Sequence, residues 1–167
     1  FKQKTAYEML RSLVGSEMCI RDSTIYTDGA CKGNPGEGGW GAILYRDLSS
    51  KTIYGYESLT TNNRMELTAA IKSLSFFKEK FNVLIYTDSK YVMNGVNTWI
   101  HNWKKNNWKT SNKKDVKNVD LWISLDKLNN FHDVDWQWVK GHSGNEGNEQ
   151  ADMLANLAIE EKSDKYE

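Results

Sequence analysis

The chain has 167 residues, and its 22 lysines and arginines balance 22 aspartates and glutamates. Global charge therefore gives no sign of a nucleic-acid binder, and no run of about 18 apolar residues offers a membrane-spanning helix. Cys19 and Cys31 are the only cysteines; Cys19 lies in a leading segment set aside below, so an internal disulfide is excluded and a reducing compartment fits. Without residues 1–23 the domain spans 144 residues with 18 basic and 19 acidic side chains, a normal size for one core.

The first apolar run, Thr24-Ile25-Tyr26, reads as a strand ending at about Asp28. Gly33 to Gly39 follows as a glycine-rich turn. Trp40 to Arg46 and Thr52 to Ser58 read as antiparallel strands about a connection from Asp47 to Lys51. Asn62 or Asn63 is expected to cap a helix with an apolar stripe of Met65, Leu67, Ala69, Ala70, Leu74 and Phe77, ending near Lys80. Val83 to Asp88 is a buried strand, and Ser89 to about Trp99 is helical. From Trp99 to Lys114 tryptophans interleave with lysines, and from His101 to Asn118 six lysines face one acid, Asp115. Val119 to Leu128 is another helix. Val134 to Val139 alternates, with Val134, Trp136 and Trp138 on one face, and Trp122, Trp136 and Trp138 read as core or near-core. A flexible loop from Gly141 to Gly147 then leads to a last helix, Asn148 to Glu160. The order of elements predicts an α/β domain with a mixed five-stranded sheet.

Four carboxylates stand out. Asp28 and Asp88 end strands, while Glu66 and Asp152 sit near helix starts, and such termini converge at one edge of an α/β sheet. Four acids at one place repel one another unless a divalent cation joins them. A set of oxygen ligands alone suits magnesium or manganese rather than zinc. Taken singly, Glu66 and Asp152 are better explained as N-terminal helix charges and Asp28 as a turn former.

Several blocks, in order, carry a family resemblance. They are Tyr26-Thr27-Asp28-Gly29-Ala30-Cys31-Lys32-Gly33-Asn34-Pro35-Gly36, Thr60-Thr61-Asn62-Asn63-Arg64-Met65-Glu66-Leu67, Thr87-Asp88-Ser89, Trp99-Ile100-His101-Asn102-Trp103-Lys104-Lys105 and Val139-Lys140-Gly141-His142-Ser143-Gly144. From about Ile25 to about Ile159 the chain resembles type 1 ribonuclease H of the bacterial kind. The resemblance implies a ribonuclease H-like fold with helices on both faces of the sheet, and an endonuclease cutting the RNA strand of RNA–DNA hybrids to leave 5′-phosphate and 3′-hydroxyl ends. It implies catalysis by Asp28, Glu66, Asp88 and Asp152 with two Mg2+ ions (Mn2+ as a substitute), which in such sites lie about 3.5–4 Å apart. Asp28 is implied to bridge both ions, Glu66 and Asp88 to serve one, and Asp152 the other. His142, between glycines, matches the family's auxiliary histidine, and imidazole suits proton transfer near neutral pH.

The resemblance also implies substrate contacts. Asn34, Asn62 and Glu66 match groups that read the RNA strand, and Thr61 and Asn118 match those holding a DNA phosphate. Trp99, Trp103 and Trp108 with Lys104, Lys105 and Lys109 match a basic protrusion on the DNA strand, where lysines give salt-sensitive phosphate contacts. The plainer reading of that segment is a solvated lysine face over a tryptophan minicore. Asn107 replaces a common glycine there, and asparagine tolerates left-handed backbone. Lys90 stands where a near relative has glutamine, and Leu59 where an arginine often supports the phosphate pocket. A monomeric cytoplasmic enzyme is expected. A catalytically inert hybrid-binding module would lack a carboxylate, and a ribonuclease H subdomain of a reverse transcriptase is the remaining alternative.

Residues 1–23 fall outside the resemblance. Met18-Cys19-Ile20-Arg21-Asp22 back-translates to ATG TGT ATA AGA GAC, a transposase-end adaptor, and Ser12 to Glu17 can encode the adaptor stretch that precedes it. Phe1 to Glu8 matches an outer flow-cell adaptor. About 22 residues are thus expected to be translated adaptor with Ser23 at the junction, and they are excluded from fold reasoning. Arg21, Asp22 and Ser23 would then have replaced apolar residues at the start of the first strand.

Overall fold

A computed structural model describes residues 22–166, so the expected adaptor segment up to residue 21 lies outside the described residues. Five strands form one sheet: β1 (Asp22–Lys32), β2 (Gly36–Arg46), β3 (Ser49–Thr60), β4 (Asn82–Thr87) and β5 (Asp133–Trp138). Their spatial order is β3-β2-β1-β4-β5, antiparallel from β1 to β3 and parallel from β1 through β4 to β5. The helices are α1 (Asn62–Phe76), α2 (Lys90–Asn94), a π-helical turn Gly95–Trp99, α3 (Ile100–Lys105), α4 (Val119–Phe131) and α5 (Glu146–Glu161). The expected α/β class with helices on both faces is what forms.

Consecutive residues of a strand face opposite sides, and two glycines of β2 show what covers each side. A Cβ on Gly38 would lie 2.9 Å from Met65 of α1, and one on Gly39 would lie 2.3 Å from the Ala155 carbonyl of α5. α1 and α5 therefore flank the sheet, and glycine lets both backbones approach closely. The larger core lies on the α1 side, where Ile25, Ile53 and Ile85 of the sheet meet Leu67 and Leu74 of α1 and Trp122 and Leu125 of α4, all buried. Each such side chain contributes roughly 1.5–3 kcal/mol by leaving water.

Below the sheet lies a buried polar element. The Phe81 N–H only donates, so His132 Nδ1 accepts it at 3.1 Å, and Nε2–H donates to the Leu74 carbonyl at 3.0 Å. This neutral ring ties the end of α1 to the starts of β4 and β5. At the far edge, the stretch after α5 pairs with β3: Tyr54 and Lys165 exchange two backbone hydrogen bonds, at 2.8 and 2.7 Å. That pairing covers part of an otherwise open strand edge.

Several boundaries differ from expectation, each for a tertiary reason. β1 does not end at Asp28; its register with β2 continues to Lys32 opposite Glu37, so the partner strand extends it. The expected turn shrinks to Gly33–Pro35, because Gly36 to Gly39 pair with β3 and β1. The cap of α1 is Thr61, whose hydroxyl accepts the Arg64 N–H, not Asn62 or Asn63, and the helix ends at Phe76 rather than Lys80. Helix continues past Trp99 to Lys105. α5 starts at Glu146, two residues early, because the Asn145 side chain accepts the Asn148 N–H. β5 runs one residue ahead of expectation at both ends. At the start of β1, Ser23 is buried and donates to the Tyr45 carbonyl at 2.9 Å, so the polar residue is satisfied.

Candidate active site

The parallel register places Thr27 beside Thr87, so Asp28, within β1, and Asp88, just past the end of β4, lie at the same level. α1 crosses that level because Gly29 has no side chain; a Cβ there would lie 2.5 Å from the Glu66 backbone nitrogen. Glu66 is thereby held against the strands. One carboxylate oxygen from each of Asp28, Glu66 and Asp88 lies within 4.8 Å of the others. Asp152 comes from α5 and lies near enough for its charge to push the Asp28 carboxyl up, but it is not one of the three whose oxygens converge.

The electrostatics are unfavourable by construction. Asp28 and Glu66 are each only 5% exposed. Burial, then the Asp88 charge, push the Asp28 carboxyl up to about 8, against the Gly29 N–H that donates to it at 2.9 Å. Burial and the charges of Asp28 and Asp88 hold Glu66 well above the usual carboxylate range. Its Oε1 is buried without a hydrogen-bond partner. An orphaned buried oxygen among crowded carboxylates fits a hard divalent cation, which would supply both the missing partner and the missing charge. The residues present thus suit the metal that the resemblance implied.

His142 lies in the loop before α5, exposed, with a left-handed φ of 55°. The loop itself presses on the cluster, since a Cβ on Gly141 would lie 2.6 Å from Asp88 Oδ2. Trp138 is not core as expected: it is 42% exposed, donates its indole N–H to the Asp88 carbonyl at 3.1 Å, and carries the Lys90 ammonium 5.1 Å from its ring centre.

The other candidate residues fall into two groups. Asn34, on the Gly33–Pro35 turn, accepts the Asn62 N–H at 2.9 Å and so ties that turn to the start of α1. Thr61 caps the same helix, and Asn118 stands at the head of α4 in left-handed backbone, φ 60°. The second group is the protrusion. Trp99, Trp103 and Trp108 are half-buried and pack in series, with ring centres 5.8 and 6.3 Å apart, over Tyr91 and the buried Trp122. The minicore is therefore real, and only the exposed rims of these rings are open to a ligand. Lys104 and Lys109 pair with Asp126 and Asp115, while Lys105 is exposed. The exposed Lys109–Asp115 pair is weak enough for phosphate to displace. Asn107 adopts the left-handed backbone foreseen for it, φ 54°.

Sequence reasoning missed Arg64, whose guanidinium forks onto Asp120 at 2.8 and 3.1 Å and donates to Asn118 Oδ1 at 3.2 Å. Its partners lie more than 50 positions away, so only its place inside a motif block pointed to it.

The fold and this acid cluster define a class: α/β proteins that gather oxygen donors for a hard divalent cation at one sheet edge. The RNase H family profile matches residues 21–160. Ribonuclease H of Francisella tularensis subsp. novicida (strain U112) is 66% identical over 136 residues, covering 81% of this chain and 90% of that protein. Among solved structures, LC9-RNase H1, a type 1 RNase H with the type 2 active-site motif, is 31% identical with a TM-score of 0.79, over 87% of this chain and 75% of that one. LC11-RNase H1, solved in complex with RNA/DNA hybrid, shares the fold at 22% identity and a TM-score of 0.62, over 84% of this chain and 98% of that one. The chain belongs to the RNase H family. It is accordingly a metal-dependent ribonuclease, and no helix among the described residues is long and apolar enough to cross a membrane.

Proposed function

We propose that this ribonuclease cleaves the RNA strand of RNA–DNA hybrids with two Mg2+ ions held by Asp28, Glu66, Asp88 and Asp152, Mn2+ being a substitute. The observation that carries this reading is the mutual 4.8 Å approach of three carboxylates, one with an orphaned buried oxygen. When bound, the ions neutralise charge developing on the phosphoryl oxygens and favour deprotonation of the attacking water.

The protein's own groups do the rest. Asp28, fixed by the Gly29 N–H, and Glu66, pinned by the close α1 approach, keep the oxygen donors in place before substrate arrives. Attack by water on phosphorus breaks the bond to O3′, leaving a 3′-hydroxyl and a 5′-phosphate. His142, on a loop seated against Asp88, takes up or returns a proton at its imidazole nitrogen during this exchange. Asn34 and Asn62 read the RNA strand, whose 2′-hydroxyls distinguish it from DNA. Thr61, Asn118 and the lysines of the protrusion hold the DNA strand. The enzyme works as a monomer in the cytoplasm, its domain beginning at about residue 24.

A 5′-labelled RNA, single-stranded, paired with RNA or paired with DNA, is incubated with the chain with and without magnesium. Magnesium-dependent cuts confined to the hybrid are expected. Binding to the hybrid without cuts under any metal would overturn the reading in favour of an inert binding module.

A further inference from the structure

Asn118 and Thr61 lie 57 positions apart, on different helices, yet both touch Arg64. The Arg64 backbone N–H donates to Thr61 Oγ1 at 3.3 Å, occupying a lone pair and leaving the hydroxyl proton to point elsewhere. Its guanidinium donates to Asn118 Oδ1 at 3.2 Å while gripping Asp120 through both oxygens. On the other side Asn118 Nδ2 donates to the Tyr91 hydroxyl at 3.1 Å, and that hydroxyl also accepts the Trp122 indole N–H at 3.1 Å.

These partners decide which way the Asn118 amide points. Arginine has donors only, so the atom facing it must be the carbonyl oxygen. A flipped amide would set NH2 against guanidinium. With the oxygen committed to Arg64, Nδ2 keeps a second N–H after donating to Tyr91, and this is the donor an anion would take. Without Arg64, nothing in the network forbids the flip that offers an anion a repelling oxygen. The two-pronged grip on Asp120 fixes the guanidinium, because bidentate arginine–carboxylate pairs are geometrically specific. Asp120 also stands in the first turn of α4, two residues after Asn118, so the same grip ties the left-handed Asn118 to α1.

We propose that Arg64, locked by Asp120, is a positioning residue that sets the sense of the Asn118 amide, so that this amide and the Thr61 hydroxyl present donors to one DNA-strand phosphate. This rests on the reading of Thr61 and Asn118 as the DNA-phosphate contact. Arg64 touches neither the acid cluster nor the phosphate in this arrangement; it governs substrate affinity rather than the chemical step.

The test uses the full chain and a series of hybrids in which one DNA linkage at a time is an uncharged methylphosphonate. In the parent enzyme one linkage should raise KM by about tenfold, as expected for losing a charge-assisted hydrogen bond, with kcat little changed. In Arg64→Gln the KM for the unmodified hybrid should rise by a similar factor, and the methylphosphonate at that linkage should then add less than about twofold. Arg64→Lys, which still donates to Asn118, should recover part of the difference. Each comparison is a ratio within one variant, so a loss of folded protein cancels. If Arg64→Gln shows the same tenfold methylphosphonate penalty as the parent, the role of Arg64 is overturned while the phosphate contact stands. If the parent shows no sensitive linkage at any position, the phosphate reading itself falls and the positioning role with it.

Discussion

His132 and the Asp28–Glu66–Asp88 cluster are both buried and ionisable, and β4 runs between them, its six residues separating the two sites by roughly 20 Å. At the lower end every polar atom of the imidazole has a partner, and burial holds the ring neutral, below the ordinary histidine range. At the upper end one carboxylate oxygen has no partner, and like charges crowd together. The first site stabilises the fold and does no chemistry. The second destabilises the metal-free fold and is where chemistry is possible. Burial alone therefore does not mark a functional group; here it is burial without satisfaction among crowded like charges that does.

The two sites also respond to pH in opposite senses. The Asp28 carboxyl rises from an ordinary 3.8 to about 8 in the fold, so its contribution to stability is complete below about pH 4 and is lost as pH climbs to about 8. His132 is shifted downward from 6.5, so its contribution is present above that value and is lost as pH falls below it.

The largest effect expected is on catalysis. Asp28→Asn should lower the cleavage rate by about a hundredfold or more, by the scale of losing one preorganised charge-stabilising group. The same change should raise the metal-free melting temperature at pH 8 by about 5 °C, equivalent to roughly 2 kcal/mol, and by less at pH 5. A fall in melting temperature would break the contrast. His132→Ala should do the reverse, lowering stability by about 2–4 kcal/mol because the Phe81 N–H and Leu74 carbonyl lose their partner; thermal melts followed by circular dichroism would show it. His142→Ala sharpens the contrast on the functional side. It should reduce kcat about tenfold, less than the hundredfold or more of an obligatory general base, with the melting temperature unmoved. Smallest is Lys104→Gln, which breaks the pair with the half-buried Asp126 and should change stability by no more than about 1 kcal/mol. It should nonetheless reduce the salt dependence of hybrid binding by about one unit of slope.

The contrast also explains what the sequence could and could not reveal. Asp28, Glu66 and Asp88 were legible because each sits in a local block whose residues build its own strand or helix. The convergence of Asp28, Glu66 and Asp88 follows from sheet topology, which the order of strands and helices already implied. His132 was not legible as structural, since its partners Leu74 and Phe81 lie 58 and 51 positions away. Arg64 was hidden for the same reason. The extension of β1 beyond Asp28 is imposed by the pairing of β2, not by the apolar pattern of β1 itself. Trp138 alternated correctly but was misassigned to the core, because strand period gives the face and not the depth of cover above it.

The most direct test is the melting temperature of the parent chain between pH 6.5 and 8.5, with and without magnesium. Above about pH 7.5 the unfolded His132 ring is almost wholly neutral, as the buried ring already is, so the change read there reports the acid cluster. Without metal the melting temperature should fall as pH rises, and saturating magnesium should abolish the fall. A metal-free curve that is flat or rising, and unchanged by magnesium, would contradict the account of a carboxylate cluster left unsatisfied until a divalent cation enters.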